Sequence, residues 1–478
     1  MERVLENNWF PQLFERAPKC HNGPVKRWLV GLVLPLLTCF AIFLNRSESP
    51  DLLTDTDTRV MLSVIRERNA PASWFLGDWP LSNHFYRPIS TLVFEFDNAV
   101  YGDNAAGYGR TNAFLAIAAV LALYWLCCEA LKSATLASFA ATLFGLCHLG
   151  YVWSEKLADF SLLLAGVSLI GLFRGQRWRV VLAATSLVFL STLWSPPQEF
   201  ASRVTAWIPG RTASSMTLMC LVSVAAYCRY ERLSGRNPTR ARSSIDPPAT
   251  KSSTHELASG RKSSKIWAVA SIGGAVLALL CYEQAVMLPA IVTLLFVWYK
   301  SDGRNPNGKL VAIFWLVLLA YVAVRATLVP SSASGYQLQQ FRNGGGVVMS
   351  VMDYLLPTWN WGSTLVLTLS TSWIILLTAP PWWILLKILG NFNIFVLAWK
   401  HPLRGPTLAW FGASVLAFLP MAWLQPFGHY HYWPAALRSI AVVLFAKIGL
   451  DAWTSAISLP SLQAPKRPSP APGSLLRQ

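Results

Sequence analysis

The chain has 478 residues, of which 54% are hydrophobic and only 13% are charged. Water-soluble domains carry about 25% charged residues, so this composition excludes a mainly soluble protein. The formal charge of +17, from 40 Lys and Arg against 23 Asp and Glu, does not by itself point to nucleic acid, because basic residues flanking apolar spans report membrane topology first; no nucleic-acid partner is expected.

A helical crossing of a hydrocarbon core needs roughly 20 apolar residues. Residues 1–27 read as a cytoplasmic or interfacial N-terminal segment ending in Lys26 and Arg27. The apolar run over 28–45 continues to Asn45 without a small-residue cleavage site, so it reads as an uncleaved first helix rather than a signal peptide. A long polar loop over 46–110 follows, then apolar spans near 111–131, 134–152, 158–173, 180–194 and 214–228. The stretch 229–265 is rich in Ser, Pro, Arg and Lys, from Arg229 to Lys265, and reads as a basic, disordered cytoplasmic loop. Further spans lie near 266–281, 285–299, 310–328, 376–399, 407–424 and 433–450, and the Pro-rich tail over 451–478 reads as disordered.

This pattern predicts an all-α polytopic membrane protein of about twelve transmembrane helices, with one domain over 28–450. Thr378–Trp383, TAPPWW, interrupts the apolar run before Lys400. One crossing there, preceded by an interfacial or re-entrant segment, keeps both termini cytoplasmic. Lys132, Arg174, Arg177, Arg179, Lys300, Arg304, Lys309, Lys400 and Arg404 then all lie inside, as the positive-inside rule requires. The cysteines fall mainly within or beside apolar runs, with no Cys-x-x-Cys pair.

With that topology, carboxylates collect on the outward side. Ionisable groups at helix ends in a membrane are functional candidates, because their desolvation is costly without a wet cavity or a partner. Thr54–Arg59 reads TDTDTR before a short helical stretch. Asp55 or Asp57 there either caps that helix or acts as a general base. The Asp-x-Asp spacing also offers two oxygen ligands to a divalent cation, a weak metal signal. The segment Phe85–Asn112 is too polar to cross the bilayer and too apolar to float free, which places it at the interface. Within it, Arg87 either pairs with a nearby acid or holds a phosphate. His148, His429 and His431 read first as interfacial histidines, since no third metal ligand follows at a recognisable spacing.

The run YRPISTLVFEFDNAVYG followed by GYGRTN resembles the first-loop signature of GT-C glycosyltransferases. It is most similar to the transmembrane O-mannosyltransferases with tetratricopeptide repeats and their bacterial relatives. Four further segments follow in that family's order. HLGYVWSEKLAD (His148–Asp159) is similar to HPVHVEAVAWISGRAD, YEQAVMLP (Tyr282–Pro289) to KEQAVTLP, WFGASVLAFLP (Trp410–Pro420) to WFLLALLP, and HYHYWP (His429–Pro434) to RYLYLP. The histidine of the family's GYH turn is Gly109 here, the arginine of RYLYLP is His429, and no repeat array follows the last span.

The resemblance implies a membrane enzyme that passes a sugar from a polyprenyl-phosphate donor to an acceptor hydroxyl on the outer side, with inversion. The acceptor is a glycan, a lipid or a protein. Asp57 or Asp55 is then the base. Arg87, Tyr86, Lys156, His148, His429 and Tyr432 lie near the donor or its phosphate, and Glu155, Asp159 and Glu283 orient sugar hydroxyls or cationic groups. The missing array suggests a bacterial inner membrane. A transporter or flippase, and a polymerase or ligase of lipid-linked glycans, are the alternative readings.

Overall fold

The computed structural model describes residues 24–68, 70–149, 200–234, 252–355 and 398–457. Among these residues the chain is all-helical, apart from one isolated antiparallel bridge between Phe341 and Leu424. Among the described residues five helical stretches are long and apolar enough to cross a membrane: Ala105–Leu131, Glu283–Ser301, Gly308–Leu328, Arg404–Trp423 and Gly428–Asp451. Trp28–Leu44, Ala134–Leu149 and Ser264–Leu279 are shorter apolar helices. The expected spans over 158–173 and 180–194, and nearly all of 376–399, lie outside the described residues.

The first expected span is two helices, α1 (Pro24–Gly31) and α2 (Val33–Leu44). The break falls where Pro35 lacks an amide donor and its ring crowds the carbonyl four residues earlier, at Gly31. The first loop is folded. It contains α3 (Thr56–Arg68) and α4 (Pro88–Tyr101), and Ala105 already begins the long α5 (Ala105–Leu131). On α3 the buried residues are Thr58, Met61, Leu62 and Ile65, the spacing of a single apolar face. Met61, Leu62 and Ile65 join Trp74, Trp79, Phe94, Tyr108 and Ile208 in a small core of their own. Segment 85–112, expected at the interface, therefore supplies one complete helix and the first turns of another.

The bundle continues with α6 (Ala134–Leu146), α7 (Phe200–Thr205), α8 (Arg211–Ser234), α9 (Ser252–Leu279), α10 (Leu288–Ser301), α11 (Gly308–Leu328), α12 (Gly335–Gln340), α13 (Gly344–Leu355), α14 (Arg404–Phe418) and α15 (Tyr432–Ile457). Helix α8 packs on α9 and α5, α14 on α15, and α6 on α5 and α15. Apolar side chains such as Leu37, Phe40, Leu316, Leu319 and Val322 remain exposed on the outside, as hydrocarbon-facing positions do.

Two expectations of disorder are narrowed. Helix α8 runs on to Ser234 and α9 begins at Ser252, so the basic stretch 229–265 is helical at both margins. The cause at the first margin is Glu129, whose carboxylate takes Arg229 and Arg232 at 2.9 Å each. Helix α15 likewise runs past 450 to Ile457, with Asp451 paired to Lys447 and, at 3.5 Å, to His401. The rest of the basic stretch, 235–251, and the tail from 458 lie outside the described residues.

The described parts of the expected outward segments gather at one end of the bundle. Asn112 Nδ2 donates to Thr205 O, Ser90 Oγ to Cys281 O, Arg325 Nη2 to His84 O, and the Arg342 and Gln425 amides link 340–342 to 423–425. The opposite end holds Glu129 with its two arginines, the Glu231 carboxylate accepting from the Asn307 amide, and the Asp451 cluster. Leu355 closes a helix at the first end and His401 lies at the second, so Lys400 stands opposite the first loop.

Candidate functional site

The folded first loop meets the ends of α7, α10, α14 and α15 around a cavity of about 350 Å³. Its lining includes Asp57, Arg87, Glu283 and His429, from three widely separated segments, together with Trp79, Asn83, Phe85, Arg203, Trp207, Tyr336 and Phe427.

The two aspartates occupy different places. Asp55 precedes α3, and its Oδ2 accepts from the Thr58 amide at 3.2 Å and the Thr58 hydroxyl at 3.3 Å. That is the geometry of an N-cap. The same oxygen accepts from Trp207 Nε1 at 3.1 Å, which fixes one wall of the cavity. Asp57, two residues on, stands at the cavity rim with one side open to solvent. Partial burial raises its carboxyl above the ordinary range, the neighbouring Asp55 adds to the rise, and Arg203 opposes it.

Arg87 sits just before Pro88, the first residue of α4, a position where proline costs no helical hydrogen bond. Its Nε and Nη2 each lie 2.8 Å from Glu283 Oε2. The guanidinium carbon stands 4.0 Å from the Phe85 ring centre and 4.4 Å from that of Tyr282, both within cation–π range. Glu283 Oε1 accepts from the Tyr86 amide at 3.1 Å. Glu283 thus anchors the loop and orients Arg87. The adjoining Gln284 donates from Nε2 to Ala417 O and Tyr430 O at 2.8 and 2.9 Å, which holds the His429 turn against the same end of α10.

A carboxylate clasp shapes the loop before Arg87. Asp78 Oδ1 accepts from the Trp79 and Phe85 amides at 2.8 Å, and its Oδ2 accepts from the His84 amide at 2.9 Å. Within the clasp Ser82 and His84 adopt φ values of 53° and 63°, which L-residues rarely occupy without support. The clasp turns Trp79, Asn83, Phe85 and Arg87 toward the cavity.

Arg203 stands opposite, its guanidinium carbon 5.2 Å from the Trp207 ring centre and 5.6 Å from that of Phe427. A Cβ on Gly210 would meet Arg203 O at 1.9 Å, so the Pro209–Gly210 turn lies directly against the Arg203 backbone. Sequence reasoning missed Arg203, yet a signal was present: an arginine in an outward segment runs against the positive-inside rule.

The remaining candidates sit elsewhere. Tyr86 is buried, and its hydroxyl donates to Phe75 O at 3.0 Å. His148 Nε2 meets the Tyr432 hydroxyl at 2.8 Å while Nδ1 meets Gly145 O at 3.1 Å, so this pair joins α6 to α15 behind the cavity. Glu155, Lys156 and Asp159 lie outside the described residues. Gly109 faces Ser47 O, which an added Cβ would meet at 1.8 Å; no side chain fits there. Much of the first-loop motif is structural. Asp97 pairs with Arg211 at 2.7 Å, both fully buried, and accepts from the Thr111 hydroxyl at 2.8 Å. Arg211 also donates to Asn112 Oδ1 and Tyr108 O at 2.6 and 2.9 Å.

No family model, curated protein or solved structure matches the chain.

Among the described residues no group of three or more His, Cys, Asp or Glu side chains is placed to hold a metal ion. What the cavity brings together is a carboxylate held above its ordinary pKa, two guanidinium groups, a histidine and aromatic walls.

Proposed function

We propose that the chain is an integral-membrane glycosyltransferase that moves a sugar from a polyprenyl-phosphate carrier to an acceptor hydroxyl. The observation that carries this reading is the presence of Asp57, Arg203 and the Arg87–Glu283 pair in one cavity at one end of the helical bundle. Asp57 takes the proton of the acceptor hydroxyl. The acceptor oxygen bonds to the anomeric carbon as the bond from that carbon to the phosphate oxygen breaks, and the carrier phosphate leaves with the electron pair. Arg203 and Arg87 offset the charge that develops on it, a stabilisation worth about 3 kcal/mol per well-placed donor in comparable sites. The cavity end faces the periplasm or lumen, since Arg229, Arg232, Lys300, Arg304 and Arg404 collect at the other end.

The reading is tested on lipid extracts of cells lacking the protein. It predicts accumulation of a polyprenyl-phosphate monosaccharide and an acceptor that has lost one sugar. A carrier lipid trapped in one leaflet with its sugar intact, and an unaltered acceptor once the lipid is flipped by other means, is the flippase outcome and would replace it.

A further inference from the structure

At the end of the bundle opposite the cavity, Glu129 of α5 accepts from Arg229 Nη1 and Arg232 Nη2 of α8, each at 2.9 Å. The carboxylate is buried, but the two arginine side chains are 33% and 34% exposed. Each guanidinium carries five N–H donors, and one carboxylate cannot occupy them all. Two cations therefore share one anion, with donors to spare on the open part of each side chain.

A third cation stands beside them. Ser223 Oγ donates to Ser271 O at 2.6 Å and Ser271 Oγ to Ser223 O at 2.9 Å, which sets α8 against α9. The Arg229 guanidinium carbon lies 5.5 Å from the Trp267 ring centre, so the two helices run antiparallel. Arg229 and Lys265 are equally far from the serine pair along their helices, and Lys265 is exposed.

The surface next to these charges is aromatic and then apolar. Trp125 and Trp267 are both partly exposed, with ring centres 5.5 Å apart, and Ile266 and Val269 are exposed. Val269 lies one turn from Lys265, on the same face of α9. Tryptophans beside a belt of basic residues mark the level where hydrocarbon meets headgroups, and long basic side chains reach from there to the lipid phosphates. Guanidinium groups suit a phosphate through paired N–H donors. A free phosphate ion would use the cations and leave the apolar surface uncovered; a phospholipid uses both.

We propose that Arg229, Arg232 and Lys265 bind the phosphate of an anionic phospholipid in the leaflet opposite the cavity, its acyl chains lying along the Ile266 and Val269 side of α9. The inference needs a membrane-embedded bundle and does not depend on the transferase reading.

The probe is dioleoyl phosphatidylglycerol, titrated against the full chain in a neutral detergent by native mass spectrometry, with dioleoyl phosphatidylcholine as the zwitterionic reference. The first phosphatidylglycerol should bind about tenfold more tightly than phosphatidylcholine, and the preference should shrink as salt is raised. Arg229→Gln and Arg232→Gln each leave Glu129 one arginine, so the fold is kept, and each should remove most of the preference. Lys309→Gln, which takes an equal charge from the exposed start of α11, should leave it unchanged. Glu129→Gln keeps an acceptor and removes the competing charge, so it should bind phosphatidylglycerol more tightly, a gain that a merely structural ion pair does not give. No preference in the wild-type chain, an equal loss in Lys309→Gln, full preference in both arginine variants, or weaker binding by Glu129→Gln overturns the assignment. Displacement of the lipid by excess inorganic phosphate would show a free-anion site and overturn it as well.

Discussion

Arg87 and Glu283 are 196 positions apart in the chain, yet two nitrogens of the one lie 2.8 Å from a single oxygen of the other. This contact fastens the folded first loop to the start of α10 and sets one wall of the cavity.

Removing either partner leaves a largely desolvated charge unpaired. The side chains are 10% and 20% exposed, so the penalty falls below the 3–5 kcal/mol of a fully buried pair, at about 2 kcal/mol. Thermal unfolding in detergent should show Arg87→Ala and Glu283→Ala each destabilised, with the double variant recovering part of the loss. Arg87→Ala should also weaken donor binding.

The Asp97–Arg211 pair provides a contrast. It is fully enclosed at 0% and 1% exposure and touches none of the cavity. Asp97→Ala or Arg211→Met should cost about 3–5 kcal/mol, more than the Arg87 variants. Transfer per folded molecule should change little. A loss of turnover in correctly folded Asp97→Ala protein would show that the pair acts on the chemistry.

Two glycines separate structural from functional strain. Gly210→Ala drives a methyl into Arg203 O, and Gly109→Ala drives one into Ser47 O. Both should destabilise by about 1–3 kcal/mol, the usual cost of overpacking. Only Gly210→Ala should also impair donor binding, because only there does the displaced backbone carry a cavity residue.

The pH dependence of transfer follows from Asp57. In the transfer we propose its ionised form is the base, and burial followed by Asp55 raises its pKa while Arg203 lowers it. The rate should therefore rise with pH through the elevated Asp57 pKa. Asp55→Asn preserves a good N-cap residue and removes one negative charge, so the acidic limb should move to lower pH. Arg203→Gln should move it to higher pH. Tyr336, which also faces Asp57, has its own pKa raised by burial and stays neutral across this range.

Much of this site was legible in the sequence, and its gaps have physical causes. Asp57 and Arg87 stood out from the residues themselves, as an outward acid pair and an arginine before a proline in an apolar chain, whereas Glu283 and His429 were picked out through the family resemblance. Telling the capping aspartate from the cavity-lining one required the phase of α3, which depends on where its cap falls. Trp79 and Trp207 were hidden among 22 tryptophans that bilayer interfaces collect anyway. The 3-10 turn Leu419–Trp423 and the last residues of Glu283–Met287 fell inside expected spans, because hydropathy records apolarity and not backbone hydrogen bonding. The folding of the first loop was missed for a related reason: its small core is spread across Leu52, Trp74, Phe94 and Ile208, too dispersed to form a run.

The most direct test of the mechanism compares single-turnover release of polyprenyl phosphate by the wild-type chain and Asp57→Asn, each purified and loaded with a polyprenyl-phosphate hexose and a hydroxyl acceptor. The account predicts unchanged donor binding and a rate lower by about 10² to 10⁴ in the variant. Release at the wild-type rate by a folded, donor-bound Asp57→Asn protein would contradict it.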